Sequence, residues 1–239
     1  MNHVSSIKGF TLVELMLAMT FISVLLVAIA MTTIQISNIY NRGITLREVN
    51  QSGRAVSADL QRSIASSTPF DVTPKTDNSP ATEASKYVVR DGGGRLCLGS
   101  YTYAWNYGSA LAGGQGAPVV YNIFSDGQPV RFSKVADPSG VLCAEPETVI
   151  QRDDATDLIS SGDRDLALHH FTITKTAEDA NIGQALYAIS MTIGTNNQAQ
   201  LTTNDASCRP PAEEVGAENY CSVNQFDIVA RAGNRSGGE

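Results

Sequence analysis

Four cysteines are the residues of this 239-residue chain with the most sharply defined chemistry, since they can form disulfides or bind a metal. No C-x-x-C spacing occurs among Cys97, Cys143, Cys208 and Cys221, which argues against a structural zinc site. An even number of cysteines indicates disulfides if the domain is exported, and four cysteines allow three connectivities. We favour Cys208–Cys221, the pair nearest in sequence, with Cys97–Cys143 as the second bond.

Two other groups contain residue types that bind metals. His169 and His170 are adjacent in a predicted strand, so they point to opposite faces and cannot bind one metal together. An aspartate-rich stretch could hold calcium, but it lacks the EF-hand pattern, and a solvated loop is the favoured interpretation. Its members are Asp153, Asp154, Asp157, Asp163 and Asp165. We therefore predict neither a metal nor a cofactor.

Sequence signatures of catalysis are missing, because G-x-S-x-G, H-E-x-x-H and P-loop patterns do not occur in the chain. An alternating aromatic stripe could stack on a sugar ring or another surface, but such a stripe more often packs in a core. It consists of Tyr101, Tyr103, Trp105 and Tyr107. We predict that the protein is not an enzyme and that the stripe belongs to the core.

Charge limits the choice of partner. The chain has 17 basic and 24 acidic residues, a net charge of −7, which argues against nucleic acid as a partner. The charges are unevenly distributed, since residues 15 to 41 contain none at all. The chain therefore consists of an apolar N-terminal segment and a polar, acidic remainder, and the cysteine, histidine and aspartate candidates all lie in the remainder.

The apolar segment is long enough to cross a bilayer, which takes about 20 residues in a helix. A secretory signal peptide is the first alternative, but its apolar core is only about 7–15 residues long and is followed by a small-residue cleavage site. Here the run is longer, and no A-x-A pattern stands at its end, where the polar domain begins. Lys8 before the run and a large polar domain after it predict a cytoplasmic N-terminus and an exported domain.

A simple signal anchor is the second alternative, and it leaves Glu14 unexplained. This carboxylate stands at the head of the apolar run, where a charge carried into the bilayer is costly and needs a partner. The alternative is an incidental glutamate at the interface, with its carboxylate reaching back to the headgroups.

The eight residues Lys8-Gly9-Phe10-Thr11-Leu12-Val13-Glu14-Leu15 resemble the processing signal of type IV prepilins. The resemblance implies that a prepilin peptidase cuts between Gly9 and Phe10 and that the amine of Phe10 is then methylated. The apolar helix would stay with the mature protein as a membrane anchor and later as the filament core. Glu14 would pair with the terminal amine of a neighbouring subunit during assembly.

The same resemblance implies a structural subunit, a minor pilin or pseudopilin, of a pilus or of a type II secretion filament. Its partners would be the prepilin peptidase, neighbouring pilins, the assembly platform and the bacterial inner membrane. Major pilins often carry Pro or Gly in the apolar helix, and none lies between Phe10 and Arg42, which favours a minor subunit. The alternative is an adhesin subunit whose head recognises a host cell, DNA or carbohydrate. The Cys208–Cys221 loop resembles the C-terminal disulfide-bounded loop of many pilins, often a recognition surface.

The predicted fold class is α+β and pilin-like, with one long N-terminal helix packed against an antiparallel β-sheet head. We divide the chain into a leader (1–9), a transmembrane half-helix (10–41), an amphipathic half-helix (42–67) and a β-rich head (68–239). In the second half-helix an apolar stripe recurs every three or four residues, at Val49, Gly53, Val56, Leu60 and Ile64. Period-two patterns predict strands at 86–90, 95–105, 121–124, 130–132, 166–175, 186–193 and 223–231, with loops at 71–85, 109–116 and 137–161.

Overall fold

A computed structural model describes residues 9–76, 86–145, 148–159, 164–179, 181–203, 207–210 and 220–233. The chain divides into two compact units, Met1–Asn41 and Arg42–Glu239. The predicted fold class is confirmed: one long N-terminal helix, whose second half packs against antiparallel β-sheet, gives an α+β architecture.

The helix, α1, runs from Leu12 to Ala65, two residues inside each end of the predicted helical range 10–67. Thr11 precedes it as an N-cap, and its hydroxyl accepts a hydrogen bond from the backbone N–H of Glu14 at 3.3 Å. Pro69 follows the last turn, where a proline prevents the helix from continuing.

The second half of α1 buries the predicted stripe. Val49, Val56, Leu60 and Ile64 are all fully shielded from solvent, and Gly53 is buried between them. Position 53 has no room for a side chain, because a Cβ there would lie 2.1 Å from a ring carbon of Phe226. The outward face of this half carries arginines, among them Arg47, Arg54 and Arg62. This half is therefore amphipathic, as its sequence pattern predicts.

The head contains two antiparallel sheets. The first has five strands in consecutive order: β1 (Tyr87–Arg90), β2 (Gly93–Leu98), β3 (Tyr101–Asn106), β4 (Phe132–Ala136) and β5 (Ala155–Ile159). The second has three strands, also in consecutive order: β6 (Leu166–Asp179), β7 (Gln184–Thr195) and β8 (Val223–Ala232). Two short helices, α2 (Gly108–Ala112) and α3 (Val141–Ala144), lie in the connections.

Several local predictions were wrong. The predicted strand 95–105 is a hairpin of β2 and β3, and Gly99 at the turn has a φ of 65°, which a residue without a Cβ adopts easily. The predicted loop 137–161 contains α3 and β5, and the predicted loop 109–116 begins with most of α2. The segment 121–124 forms only isolated bridges rather than a regular strand.

One hydrophobic core joins the helix stripe to both sheets. Its centre is aromatic: the ring centroids of Trp105 and Phe171 lie 4.6 Å apart, and those of Trp105 and Phe132 lie 6.0 Å apart. Tyr103 and Trp105 are fully buried, whereas Tyr101 is 45% exposed at the end of its strand. The prediction that the aromatic stripe belongs to the core is thus confirmed for its two central members.

Candidate functional site

The N-terminal unit exposes an apolar surface. All side chains from position 12 to position 37 are exposed, and the most apolar 18-residue window of α1 has a mean hydropathy of 2.5 with none of it buried. The chain therefore has a helix long and apolar enough to span a membrane. A core helix of a water-soluble domain can have the same composition, but it would be largely buried, and this segment is not.

The hydroxyl groups that interrupt the apolar run are satisfied by the helix itself. Thr20 donates to the carbonyl of Leu17 at 2.9 Å, and Ser23 donates to the carbonyl of Met19 at 2.8 Å. Thr32 and Thr33 both donate to backbone carbonyls one turn earlier. Because a bilayer core offers no water to bond with, these internal bonds let the hydroxyls enter lipid at low cost.

Glu14 and Thr11 form a reciprocal cap at the start of α1. The Oε2 atom of Glu14 accepts hydrogen bonds from the backbone N–H and from the hydroxyl of Thr11, both at 3.0 Å. This S/T-x-x-E capping box satisfies N–H groups that the first helical turn cannot pair. The sequence Thr11-Leu12-Val13-Glu14 matches this capping-box pattern. The cap was not predicted, because only an intermolecular role was considered for Glu14.

The cleavage-site residues lie just before this cap. Gly9 and Phe10 are exposed, and no described atom lies within 4 Å of a Cβ built on Gly9. The described residues therefore leave the backbone at the predicted scissile bond uncovered. The predicted cysteine sites lie in the other unit, in the head.

Both disulfides join the cysteines that the sequence favours. Cys97 of β2 is bonded to Cys143 of α3, 46 positions later, and Cys208 is bonded to Cys221, 13 positions later. The first bond fastens the irregular segment between β4 and β5 to the five-stranded sheet. The second closes a short loop just before β8.

A buried arginine holds the long connection beside the first disulfide. Arg95 is only 1% exposed, and its guanidinium donates to the side chain of Asn122 at 2.6 Å and to the carbonyls of Leu142 and Thr148 at 2.7 and 3.1 Å. Burial lowers the pKa of Arg95 from its usual value, and these three acceptors compensate for the lost hydration. Sequence analysis missed this residue because its partners lie 27 to 53 positions away.

A second polar cluster links α1 to the five-stranded sheet. The hydroxyl of Tyr103 donates to a carboxylate oxygen of Asp59 at 2.5 Å and lies 2.7 Å from the hydroxyl of Ser63. The ammonium of Lys134 lies 3.2 Å from the same carboxylate. Burial raises the pKa of Tyr103 well above its usual value, so the phenol stays protonated and the cluster is structural.

The candidate metal ligands are dispersed. His169 is half-buried with Nε2 at 3.1 Å from the carbonyl of Thr195, and His170 is exposed. Asp157 accepts a hydrogen bond from Ser133 and pairs with Arg152. Asp165 pairs with Arg131. Asp153 and Asp154 are exposed, and Asp163 lies outside the described residues. Among the residues that the structure describes, no three His, Cys, Asp or Glu side chains are grouped to hold a metal.

No family model, no curated protein and no solved structure matches this chain.

Proposed function

We propose that the protein is a minor type IV pilin or pseudopilin, a structural subunit that enters a filament through its N-terminal helix. The observation that carries the proposal is the prepilin-like motif, residues 8–15, at the head of a helix whose first half buries none of its apolar side chains. In water this half-helix would be poorly soluble. A lipid bilayer, and then the helices of neighbouring subunits, would cover it.

Glu14 has a defined task in this account. Its carboxylate is held by Thr11 at the positive end of the helix, where a negative charge is favourable. After cleavage, the new amine of Phe10 would give each subunit a positive charge near the same end. The terminal amine of a neighbouring subunit would bind the Glu14 carboxylate within this cap. Because both charges lose hydration when they pair, the ion pair would fix the register between subunits more than it would stabilise the filament.

The proposed location is the bacterial inner membrane, with a cytoplasmic N-terminus, followed by a pilus or a periplasmic filament. The partners are the prepilin peptidase, neighbouring pilins and the assembly platform. The minor-subunit assignment rests on α1, which is helical throughout Leu12–Ala65 and has neither Pro nor Gly between Phe10 and Arg42. An adhesive head is a second candidate function, favoured by a cleft of about 770 Å³ that the segment 195–200, the end of α2 and Tyr220 line.

Processing tests the proposal. In a host with a prepilin peptidase, intact mass spectrometry should find a mature chain that begins at a methylated Phe10. Gly9→Val should block cleavage, because a branched side chain hinders entry of the backbone into a protease site. Gly43→Val is the matched control, since a Cβ at either glycine meets nothing within 4 Å.

We expect the Gly43→Val protein to be cleaved and methylated like the wild type. Retention of residues 1–9 by the wild type, or a cut that discards the apolar helix, would overturn the assignment. Equal processing of both glycine variants would show that the cleavage does not depend on this motif.

A further inference from the structure

The outward face of the three-stranded sheet carries little charge. Its side chains alternate along β7 with fully buried ones such as Tyr187 and Met191. Nine neighbouring positions of this face, called the neutral patch below, form three cross-strand rows: Thr172–Ser190–Asp227, Thr174–Ala188–Val229 and Ala177–Leu186–Arg231. Asp227 and Arg231 are the only charged residues among the nine, and their charges cancel.

The head as a whole is acidic. Lys8 and Glu14 cancel and residues 15 to 41 are uncharged, so the entire net charge of −7 belongs to residues 42–239. Two copies of such a head repel each other wherever acidic surfaces meet. The neutral patch contributes nothing to this excess, so a second copy can approach it without that repulsion.

The centre of the neutral patch is apolar and open to solvent. Val229 is 61% exposed and Leu186 is 37% exposed, although both lie within regular strands. Ala188 is in register with Val229 on the next strand. Two sheets that pack face to face lie about 10 Å apart and bury such outward side chains between them. The small, apolar centre of the patch therefore suits packing against a second sheet.

The two charges of the patch stand symmetrically about Val229. Asp227 and Arg231 are each two positions from it along β8, so the three side chains share one face, with each charge about 7 Å from the valine. The Nε2 atom of Gln225 donates to both carboxylate oxygens of Asp227, at 3.0 and 3.1 Å. Hydrogen bonds from Gln225 and then from Ser190 lower the pKa of Asp227 from its usual value, so it is ionised at neutral pH. Both donors are neutral and leave its negative charge uncompensated.

Arg231 has the donors that this carboxylate lacks. It already interacts within its own chain, but a guanidinium has five N–H donors and can bind a further acceptor. When two copies meet with their β8 strands antiparallel and their Val229 side chains opposite each other, Asp227 of each copy faces Arg231 of the other. A two-fold axis through Val229 therefore creates two equivalent ion pairs.

We propose that the neutral patch binds a second copy of this chain about a two-fold axis through Val229. The contact covers the exposed Val229 and Leu186 and places each charge of the patch opposite its complement. Because the same surface is used on both copies, the contact closes as a dimer. The inference goes beyond the filament role and does not depend on it, since every residue it uses lies in the head.

Charge reversal tests the pairing. Asp227→Arg and Arg231→Asp each place like charges opposite each other at both contacts of the dimer. Sedimentation equilibrium of the full chain, in a detergent matched to the solvent density, measures the association of each variant. Asp154→Arg is the matched control, because it makes the same change of charge at an exposed position outside the patch. Thermal melting of each variant checks that the head stays folded.

Mixing the two single variants gives the sharper result. An equimolar mixture of Asp227→Arg and Arg231→Asp chains places opposite charges at both contacts again. We therefore expect heterodimers from the mixture, although each variant alone is mainly monomeric. The variant chains differ in mass, so native mass spectrometry identifies the heterodimer. The double variant Asp227→Arg/Arg231→Asp should dimerise like the wild type.

We expect the dissociation constant of the dimer to rise about tenfold or more in each single variant, and to be unchanged in Asp154→Arg. A wild type that stays monomeric at its highest soluble concentration would overturn the proposal. Equal association of all variants would also overturn it, because the apolar helix would then account for the contact. A mixture of the two single variants that recovers no heterodimer would contradict the predicted pairing.

Discussion

The two halves of α1 use apolar side chains in opposite ways. In the first half, side chains from 12 to 37 are all exposed, and no charge follows Glu14 before Arg42. In the second half, the apolar side chains at 49, 56, 60 and 64 are fully buried, while arginines point outward. An apolar surface on every side is typical of a membrane span or of a protein interior, whereas an apolar stripe is satisfied within the head.

One continuous helix thus has two kinds of surface. The second half forms one layer of the head core and takes its stability from packing against the sheets. The first half has no such packing in its own unit, and it is long and apolar enough to span a membrane. Changes in the two halves should therefore have separable effects.

The largest expected effect comes from truncating the buried stripe. Leu60→Ala should reduce the free energy of unfolding of the head by about 2–5 kcal/mol, because it leaves a cavity in a close-packed core. Leu26→Ala, at a position 58% exposed, should leave it unchanged. Denaturant titration followed by the fluorescence of Trp105, the single tryptophan and fully buried, measures the head alone. Equal destabilisation by both variants would break the distinction between the halves.

A charge placed in each half sharpens the comparison. Leu26→Asp puts a carboxylate in the middle of the apolar run, which should cost membrane insertion about 3 kcal/mol. Ala58→Asp puts the same charge on the exposed face of the second half and should be inserted normally. The fraction of chain that resists carbonate extraction from membranes provides the measurement. Normal retention of Leu26→Asp would contradict a membrane role for the first half.

Loss of the hydrogen bond between Tyr103 of β3 and Asp59 of α1 should reduce the stability of the head by a smaller amount. Tyr103→Phe removes the hydroxyl that donates to Asp59, which should cost about 1 kcal/mol of head stability at neutral pH. Burial raises the pKa of Tyr103, so the folded state keeps a proton that an unfolded tyrosine loses near pH ~10. The contribution of Tyr103 to the free energy of unfolding should therefore be fully present below pH ~10 and should be lost progressively as the pH rises above that value.

Denaturant titrations between neutral pH and pH ~11 test the direction of this effect. The alkaline loss of stability should be shallower in Tyr103→Phe than in the wild type, because one of the groups that resist ionisation is gone. An identical alkaline loss in both proteins would show that Tyr103 ionises freely in the folded head.

The helix could be predicted to within two residues at each end because its signals are local. Thr11 caps its start, Pro69 follows its end, and the spacing of the stripe repeats without interruption. The turn between β2 and β3 was missed although its signal is also local. Gly99 and Ser100 form the turn, and the core positions change there from even numbers, Leu96 and Leu98 in β2, to odd numbers, Tyr103 and Trp105 in β3.

The polar parts of the head depend on distant contacts and were not predictable in detail. β5 buries fully only Ile159, so its sequence lacks the alternation of a half-buried strand, and its backbone pairing with β4 defines it. Arg95 has the sequence character of a surface residue, yet the connection carrying Asn122, Leu142 and Thr148 folds over it. The amide run at 196–200 is visible in the sequence, but only the fold shows that it lines a cleft.

Incorporation of Glu14 variants into filaments tests the central claim most directly. Glu14→Ala and Glu14→Gln should be inserted and processed, because Gly9, Leu12 and Val13 are unchanged. The amount of processed chain in sheared filaments, relative to the membrane fraction, should fall several-fold in both variants, with Gln resembling Ala because the amide lacks the charge. Glu48→Gln, in the second half, should assemble like the wild type. Equal recovery of the wild type and both Glu14 variants would show that this carboxylate has no part in assembly.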